Sequence, residues 1–238
     1  MQWAVIDNLI RLYGGGGDEL AEARRRYEAT KYEPKPVRLP AKTPRAFRRL
    51  VNEERVAKSV ELVQPIVVPG LLQTEEYTQA LFDVGNQFHD PRSRSDGAIS
   101  VRLARQQRLA LDDPRPLQLH AVVDEIVIRR RVGGVDVMRR QLLHVIAMCG
   151  QWNVELQVVK AEAGAYGVST GGCSIFKYAD PDSVPGVYFE YPAGSAWVED
   201  TKDVQRFTNM FNSAVRVALS SDDTMEYLHQ QVRALESK

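Results

Sequence analysis

An α+β fold, with a small and mainly antiparallel sheet covered by helices, is what the order of patterns along this 238-residue chain predicts. Helical apolar spacing fills the first part up to about Leu111. Short segments of strand character then cluster between Leu117 and Val198, and helical spacing returns from Thr201 to the end. With 44% hydrophobic residues the chain can bury one large core, so residues 45–238 are expected to form the body. Residues 1–17 are read as a helix with a glycine linker, and residues 18–44 as a charged helix with a proline-rich connector.

Met1 to Tyr13 sets Trp3, Ile6, Ile10 and Tyr13 on one helical face, with Leu9 beside them. Gly14 to Gly17 is a flexible break, because glycine loses the most freedom on ordering and has no side chain to pack. Asp18 to about Tyr32 is a mostly charged helix in which Arg24, Arg25 and Arg26 lie near Glu19, Glu22 and Glu28, a solvated pattern. Pro34, Pro36, Pro40 and Pro44 leave little scope for helix and predict an extended connector. From Pro44 to about Val63 the sequence reads as helix, with Phe47, Leu50, Val51, Ala57 and Val60 as candidate buried positions and Pro65 as its end.

Residues 66–72 approach a helix running from Thr74 to about Val84, where Glu75 and Glu76 suit the positive end of the helix dipole. Pro69-Gly70-Leu71-Leu72-Gln73-Thr74-Glu75-Glu76-Tyr77 marks the junction: Pro69 disfavours helix at Val68, Gly70 is conformationally permissive and Thr74 can cap. Gly85 to Gly97 is predicted to be a mobile loop, followed by a helix from about Ala98 to Leu111 with Ile99, Leu103, Gln106 and Ala110 on one face. Leu117, Leu119, Ala121 and Val123 alternate with polar residues as a half-buried strand does. Asp124 is placed to cap the turn carrying Glu125. Gly133 and Gly134 open a helix with Met138, Leu142, Val145, Ile146 and Cys149, closed by Gly150. Strands are expected at 154–160, 173–178, 187–191 and 196–198, then helices from Thr201 and from about Asp222.

Charge and composition exclude several classes. Thirty-one basic residues balance thirty-one acidic ones, so no global field favours nucleic acid. Cys149 and Cys173 lie far apart without metal-ligand spacing, which predicts reduced thiols and a cytoplasmic protein. No apolar run approaches the ~20 residues a membrane span needs, and Met1 opens an amphipathic helix rather than a basic region with an apolar signal core, so no signal peptide is expected. His89, His120, His144 and His229 show no ligand spacing, and neither a nucleophile elbow nor a phosphate loop is present, so no metal and no cofactor is expected. The glycine-rich run Gly164 to Gly172 reads as a connection between strands, with Tyr166 and Ser169 as candidates for a cleft mouth.

Three groups of polar residues carry potential chemistry. Arg38, Lys42, Arg45, Arg48, Arg49, Arg55 and Lys58 could contact phosphates, although Glu53, Glu54 and Glu61 among them fit an ordinary solvated face better. Asp124 and Glu125, followed by Arg129, Arg130 and Arg131, fit a cap with ion pairs or a polar ligand site. Gln73, Arg102, Arg105, Gln106, Glu125, Gln157, Tyr188 and Glu190 are polar residues on otherwise apolar elements. Convergence of these residues would create either a pocket for a small effector or a buried structural network.

Taken in order, the Pro69 to Glu75 stretch, Arg102, Arg105-Gln106, Asp124-Glu125, Arg130 to Gly134, Val137-Met138, Gln141-Leu142, Asn153-Val154, Gln157-Val158, Gly164, Phe176, Val187-Tyr188, Glu190 and Glu199 form a pattern from about Phe47 onward. That pattern resembles the C-terminal domain of unknown function of actinobacterial XRE-type helix-turn-helix regulators, the Scr-type antitoxin-like group. Such regulators usually begin with a DNA-binding domain, of which Met1 to Tyr13 resembles only the closing helix. The resemblance implies a transcriptional regulator whose body senses a small-molecule effector or a small acidic partner protein, with a second copy of the chain as a further candidate partner. It also implies weak or no DNA binding by this chain, and no membrane association. The alternative expectation is a biosynthetic enzyme for a cyclisation or rearrangement, descended from such a regulator, with Glu125, Arg102 and Tyr188 acting in a shaped pocket.

Overall fold

A computed structural model describes residues 3–31, 36–41, 43–85, 97–167, 171–180, 182–191 and 194–236, and the chain divides into two compact units, Met1–Lys35 and Pro36–Lys238. The first unit is a helical hairpin of α1 (Trp3–Leu12) and α2 (Gly17–Lys31). The glycine run forms a tight turn between them: Gly14 takes a φ of 80°, open to glycine without strain, and the Gly15 N–H closes α1 on the Ile10 carbonyl at 2.8 Å. Trp3 and Tyr27 meet with ring centroids 5.5 Å apart, and the Arg24 guanidinium lies 4.7 Å from the Trp3 ring centroid. Trp3, Ile6 and Ile10 are half-buried as the apolar spacing predicts, but Tyr13 falls beyond the last helical residue and is exposed.

The second unit holds helices on both faces of one mixed sheet, the α+β class expected. Its elements are α3 (Arg45–Val56), β1 (Ser59–Gln64), α4 (Glu75–Gly85), α5 (Ala98–Gln106), β2 (Gln118–Asp124), α6 (Glu125–Arg129), α7 (Val135–Cys149) and β3 (Val154–Val159). They continue as β4 (Cys173–Lys177), β5 (Gly186–Tyr191), β6 (Gly194–Val198), α8 (Thr201–Val217) and α9 (Ser221–Glu236). Among the described residues the strand order is β3-β2-β1-β4-β5-β6. The β1–β4, β4–β5 and β5–β6 pairs are antiparallel, whereas β1–β2 and β2–β3 are parallel. The parallel pairs arise because helices, not hairpin turns, return the chain between those strands.

Two helices end earlier than their spacing predicts. The helix expected from Pro44 to Val63 stops at Val56, and Ser59–Gln64 is β1, a strand in the middle of the sheet. Val60 is buried as expected, but through the period-two alternation of Val60 and Leu62 against Ser59 and Glu61. Likewise the helix begun at Ala98 ends at Gln106 and tightens into a 3-10 turn over Gln107–Leu109. Most of the Gly85 to Gly97 loop lies outside the described residues.

Strand parity divides the core. Val60, Leu62, Leu119, Ala121, Val123, Leu156, Val158, Phe176 and Tyr188 belong to one cluster with residues of α3, α4, α7 and α9. Val63, Val122, Val159, Cys173, Ile175 and Val187 pack with Val204, Phe211 and Ala214 of α8. On the first face the Pro69 to Thr74 segment is pinned from three sides. Gly70–Leu72 forms a 3-10 turn with Leu71 and Leu72 buried, and the Thr74 hydroxyl caps α4 by accepting the Tyr77 N–H at 3.2 Å. The Tyr77 hydroxyl accepts the Val68 N–H at 3.2 Å. Fully buried Gln141 of α7 donates to the Leu72 carbonyl and accepts from the Thr74 N–H, both at 2.7 Å. Among the described residues no helix is long and apolar enough to cross a membrane.

Candidate functional site

The pinned segment forms one wall of a cleft of about 550 Å³. Phe47, Leu50 and Glu54 of α3, Val60 and Leu62 of β1, and Leu81 of α4 line it, with Arg102 and Arg105 of α5 opposite Tyr188, Glu190 and Tyr191 of β5. Register explains the convergence: Leu62 pairs with Ser174, and Ser174 with Tyr188, so these side chains share the face that α3 and α5 cover.

The cleft floor is ionic. Arg105 Nε and Nη2 donate to the two Glu54 carboxylate oxygens, both at 2.6 Å, and the side chains are only 8% and 6% exposed. Burial opposes charge on Arg105, but the bidentate Glu54 carboxylate outweighs it and raises the guanidinium pKa above its usual value. Arg102 is different. Burial, then the neighbouring Arg105 charge, lower its pKa to about 10, and its hydrogen-bond partner is the neutral side-chain oxygen of Gln73 through Nη1. Gly70 lies beside both guanidiniums, and a Cβ there would be in ordinary contact, 3.5 Å from Arg102 Nη1 and 4.0 Å from Arg105 Nη2.

Gln73 is 2% exposed and fully engaged: its amide donates to the Val68 carbonyl at 2.6 Å, and its side-chain oxygen accepts from Arg102 and from the Thr78 hydroxyl at 3.1 Å. Gln106 borders the cleft as a strut, donating to the Gln73 carbonyl at 2.6 Å and the Gly70 carbonyl at 3.3 Å. Tyr188 is buried and donates to Glu190 Oε1 at 2.7 Å. Burial and then the Glu190 charge raise its hydroxyl pKa well above the ordinary phenol value.

Two of the candidates lie elsewhere. Glu125, capped into α6 by Asp124, meets Lys160 Nζ at 2.7 Å, the Ala161 N–H at 2.9 Å, the Tyr227 hydroxyl at 2.7 Å and Arg129 at 3.6 Å. Its oxygens are committed to a knot between α6, α9 and the end of β3. Gln157 bonds His120 Nε2 and the Leu219 carbonyl, both at 2.8 Å, on the sheet face covered by α8. The trio of Glu125, Arg102 and Tyr188 is therefore not brought together. Tyr166 donates to Asp124 at 3.3 Å rather than lining the cleft, and Ser169 lies outside the described residues.

Glu54, expected on a solvated face, is buried in the cleft floor instead. Its spacing from Phe47 and Leu50 puts it on the buried stripe of α3, and that was the available signal. Two of the surrounding basic residues are engaged within the fold. Arg49 pairs with Glu53 and Glu199 and covers the Trp197 ring at 4.4 Å, while Arg48 donates to the carbonyls of Pro40 and Ala41.

A family model described as a domain of unknown function, DUF5753, matches residues 47–230. The chain belongs to the DUF5753 family. No curated protein and no solved structure gives a significant match. The DUF5753 match begins at Phe47, the first residue of the cleft lining, and takes in every side chain that forms it.

Removing one partner of a buried ion pair leaves the other charge uncompensated, so Glu54→Gln should lower the unfolding free energy of the DUF5753 domain by ~3–5 kcal/mol in urea denaturation. The double change Glu54→Leu with Arg105→Met should recover most of that loss. For Glu125, burial acts to raise the pKa, but the Ala161 N–H, Lys160 and Tyr227 prevail and hold it at about 2. A depressed carboxylate pKa stabilises the fold above the unfolded value and loses that contribution as pH falls through the folded one. Between pH ~4.5 and pH ~2 the protein should therefore lose on the order of 3 kcal/mol from this group. Thermal melts across that window should fall less steeply for Glu125→Gln.

Proposed function

We propose that this DUF5753 chain is the sensing body of an XRE-type, antitoxin-like transcriptional regulator, and that a small effector occupying the cleft is the signal. The carrying observation is the cleft itself: Gln73, Arg102, Arg105, Tyr188 and Glu190 meet in one hollow of about 550 Å³ whose remaining walls are largely aliphatic and aromatic. Apolar walls with a few convergent polar groups are the usual make-up of small-molecule sites. The cleft is framed by α3, the Pro69 to Gln73 segment, α5 and β5, so an occupant contacts elements distant in sequence and can bias how they pack. A small acidic protein, the other partner expected of such regulators, would meet the outer surface rather than fill this hollow.

The basic residues of α3 argue against DNA contact by this chain, because Arg48 and Arg49 are engaged within the fold and the overall formal charge is zero. Screening a diverse fragment library by the backbone amide shifts of the protein, alongside titration of promoter DNA at moderate salt, tests the reading. Fragments that protect or shift the cleft residues, with no specific DNA complex in the nanomolar range, are the expected result. Specific nanomolar DNA binding, or fragment hits that never touch the cleft, would contradict it.

A further inference from the structure

We propose that the cleft takes an organic monoanion with an apolar body, and that a carboxylate of this ligand pairs with the Nε and Nη2 edge of Arg102. The inference rests on the reading of the cleft as the effector site and narrows what that effector is.

Four charged side chains line the cleft: Glu54, Arg102, Arg105 and Glu190. Glu54 is occupied at both oxygens by Arg105. Among the described residues Arg102 forms no ion pair, and its one hydrogen bond runs from Nη1 to the Gln73 side-chain oxygen. Among the described residues its Nε and Nη2 have no acceptor. A half-buried guanidinium beside a second guanidinium, hydrogen-bonded only to an amide oxygen, with the Phe82 ring 5.8 Å from its Cζ and with Glu190 near but not paired to it, still has an edge to offer an added negative charge. The lowered pKa of Arg102, caused by burial and by Arg105, agrees with that environment.

The free edge also sets the shape of the partner. Two parallel N–H donors on one guanidinium edge match one planar carboxylate in a bidentate fork. The fork of Arg105 is already filled, so the site offers one such edge and favours a single negative charge. Glu190 acts in the same direction, since a second negative charge on the ligand would meet its carboxylate across the cleft. Tyr188 gives its hydroxyl proton to Glu190 and holds that side chain to β5. The rest of the ligand faces Leu50, Leu62, Val68, Leu71 and Leu81, which accept hydrocarbon and offer no side-chain hydrogen bonds.

Calorimetric titration with octanoate, octanamide and octylammonium at neutral pH tests the assignment, because the three share one apolar body and differ only in the head group. Backbone amide shifts of Val68, Leu71 and Tyr188 report whether binding is in the cleft. Octanoate is expected to bind there at least about tenfold more tightly than octanamide, with octylammonium weakest. Arg102→Gln should abolish that preference, and Arg102→Lys, which keeps the charge without the fork, should retain part of it. Should Arg102→Gln fail to fold, the wild-type series and Arg102→Lys carry the decision. If octanamide or octylammonium binds the cleft as tightly as octanoate, or the preference survives in Arg102→Gln, the carboxylate assignment is overturned and the effector cleft stands. If none of the three perturbs the cleft amides, both are overturned.

Discussion

The bidentate pair between Glu54 and Arg105 is the interaction on which the cleft depends. Both side chains are nearly out of water, and each is tolerable there only because the other is present. The pair joins the last turn of α3 to the last turn of α5, elements some fifty residues apart in the chain. Arg108, in the 3-10 turn that follows α5, extends the clamp by donating to the Ala57 carbonyl at 3.2 Å and to the Arg115 carbonyl and Asp113, both at 2.9 Å. The junction at which α3 gives way to β1 is thus held by two arginines from one short stretch. Strand β1 then enters the middle of the sheet with Val60 and Leu62 turned toward the cleft.

Once that floor is fixed, the rest of the site follows from helix geometry and from close backbone approach. Arg102 precedes Arg105 by three residues, so both guanidiniums project from the same face of α5. Gly70 lies beside both, and Gln73 receives the one that Glu54 does not serve. Gln141 and Gln106 hold the carbonyls and N–H groups of the Leu72 to Thr74 backbone, which keeps the Gln73 amide aimed inward. The two arginines therefore differ in kind. One is paired with a carboxylate, and the other, among the described residues, has only an amide oxygen as its hydrogen-bond acceptor.

Much of this fold was legible in the sequence because periodicity and capping agreed. Helices α7, α8 and α9 and strands β2 to β6 carry clean spacing with glycine, aspartate or threonine at their ends, and they lie close to the expected positions. Strand β1 was hidden because Phe47, Leu50, Val51, Ala57 and Val60 keep a helical rhythm across the break at Ala57 and Lys58. Glu54 was hidden by its charged neighbours, since a carboxylate among arginines on a helix usually faces water. Glu125 and Gln157 have the same chemistry as the cleft residues, and only long-range placement separates them. Gln157 pairs with Val122 on the α8 face, whereas Tyr188 shares the opposite face with Leu62. Which polar residues share a hollow depends on register between distant strands, and local spacing carries no record of that.

The central claim is that a half-buried guanidinium in an apolar cleft is the recognition point of a sensing domain. A crystal structure of the protein with 8-bromooctanoate, phased on the anomalous signal of bromine, tests that claim most directly. The account predicts a bromine peak among Leu50, Leu62 and Leu81, with carboxylate density on the Nε and Nη2 edge of Arg102. A well-ordered Arg102 edge facing solvent in an empty cleft, with bromine bound only elsewhere on the surface, would contradict it.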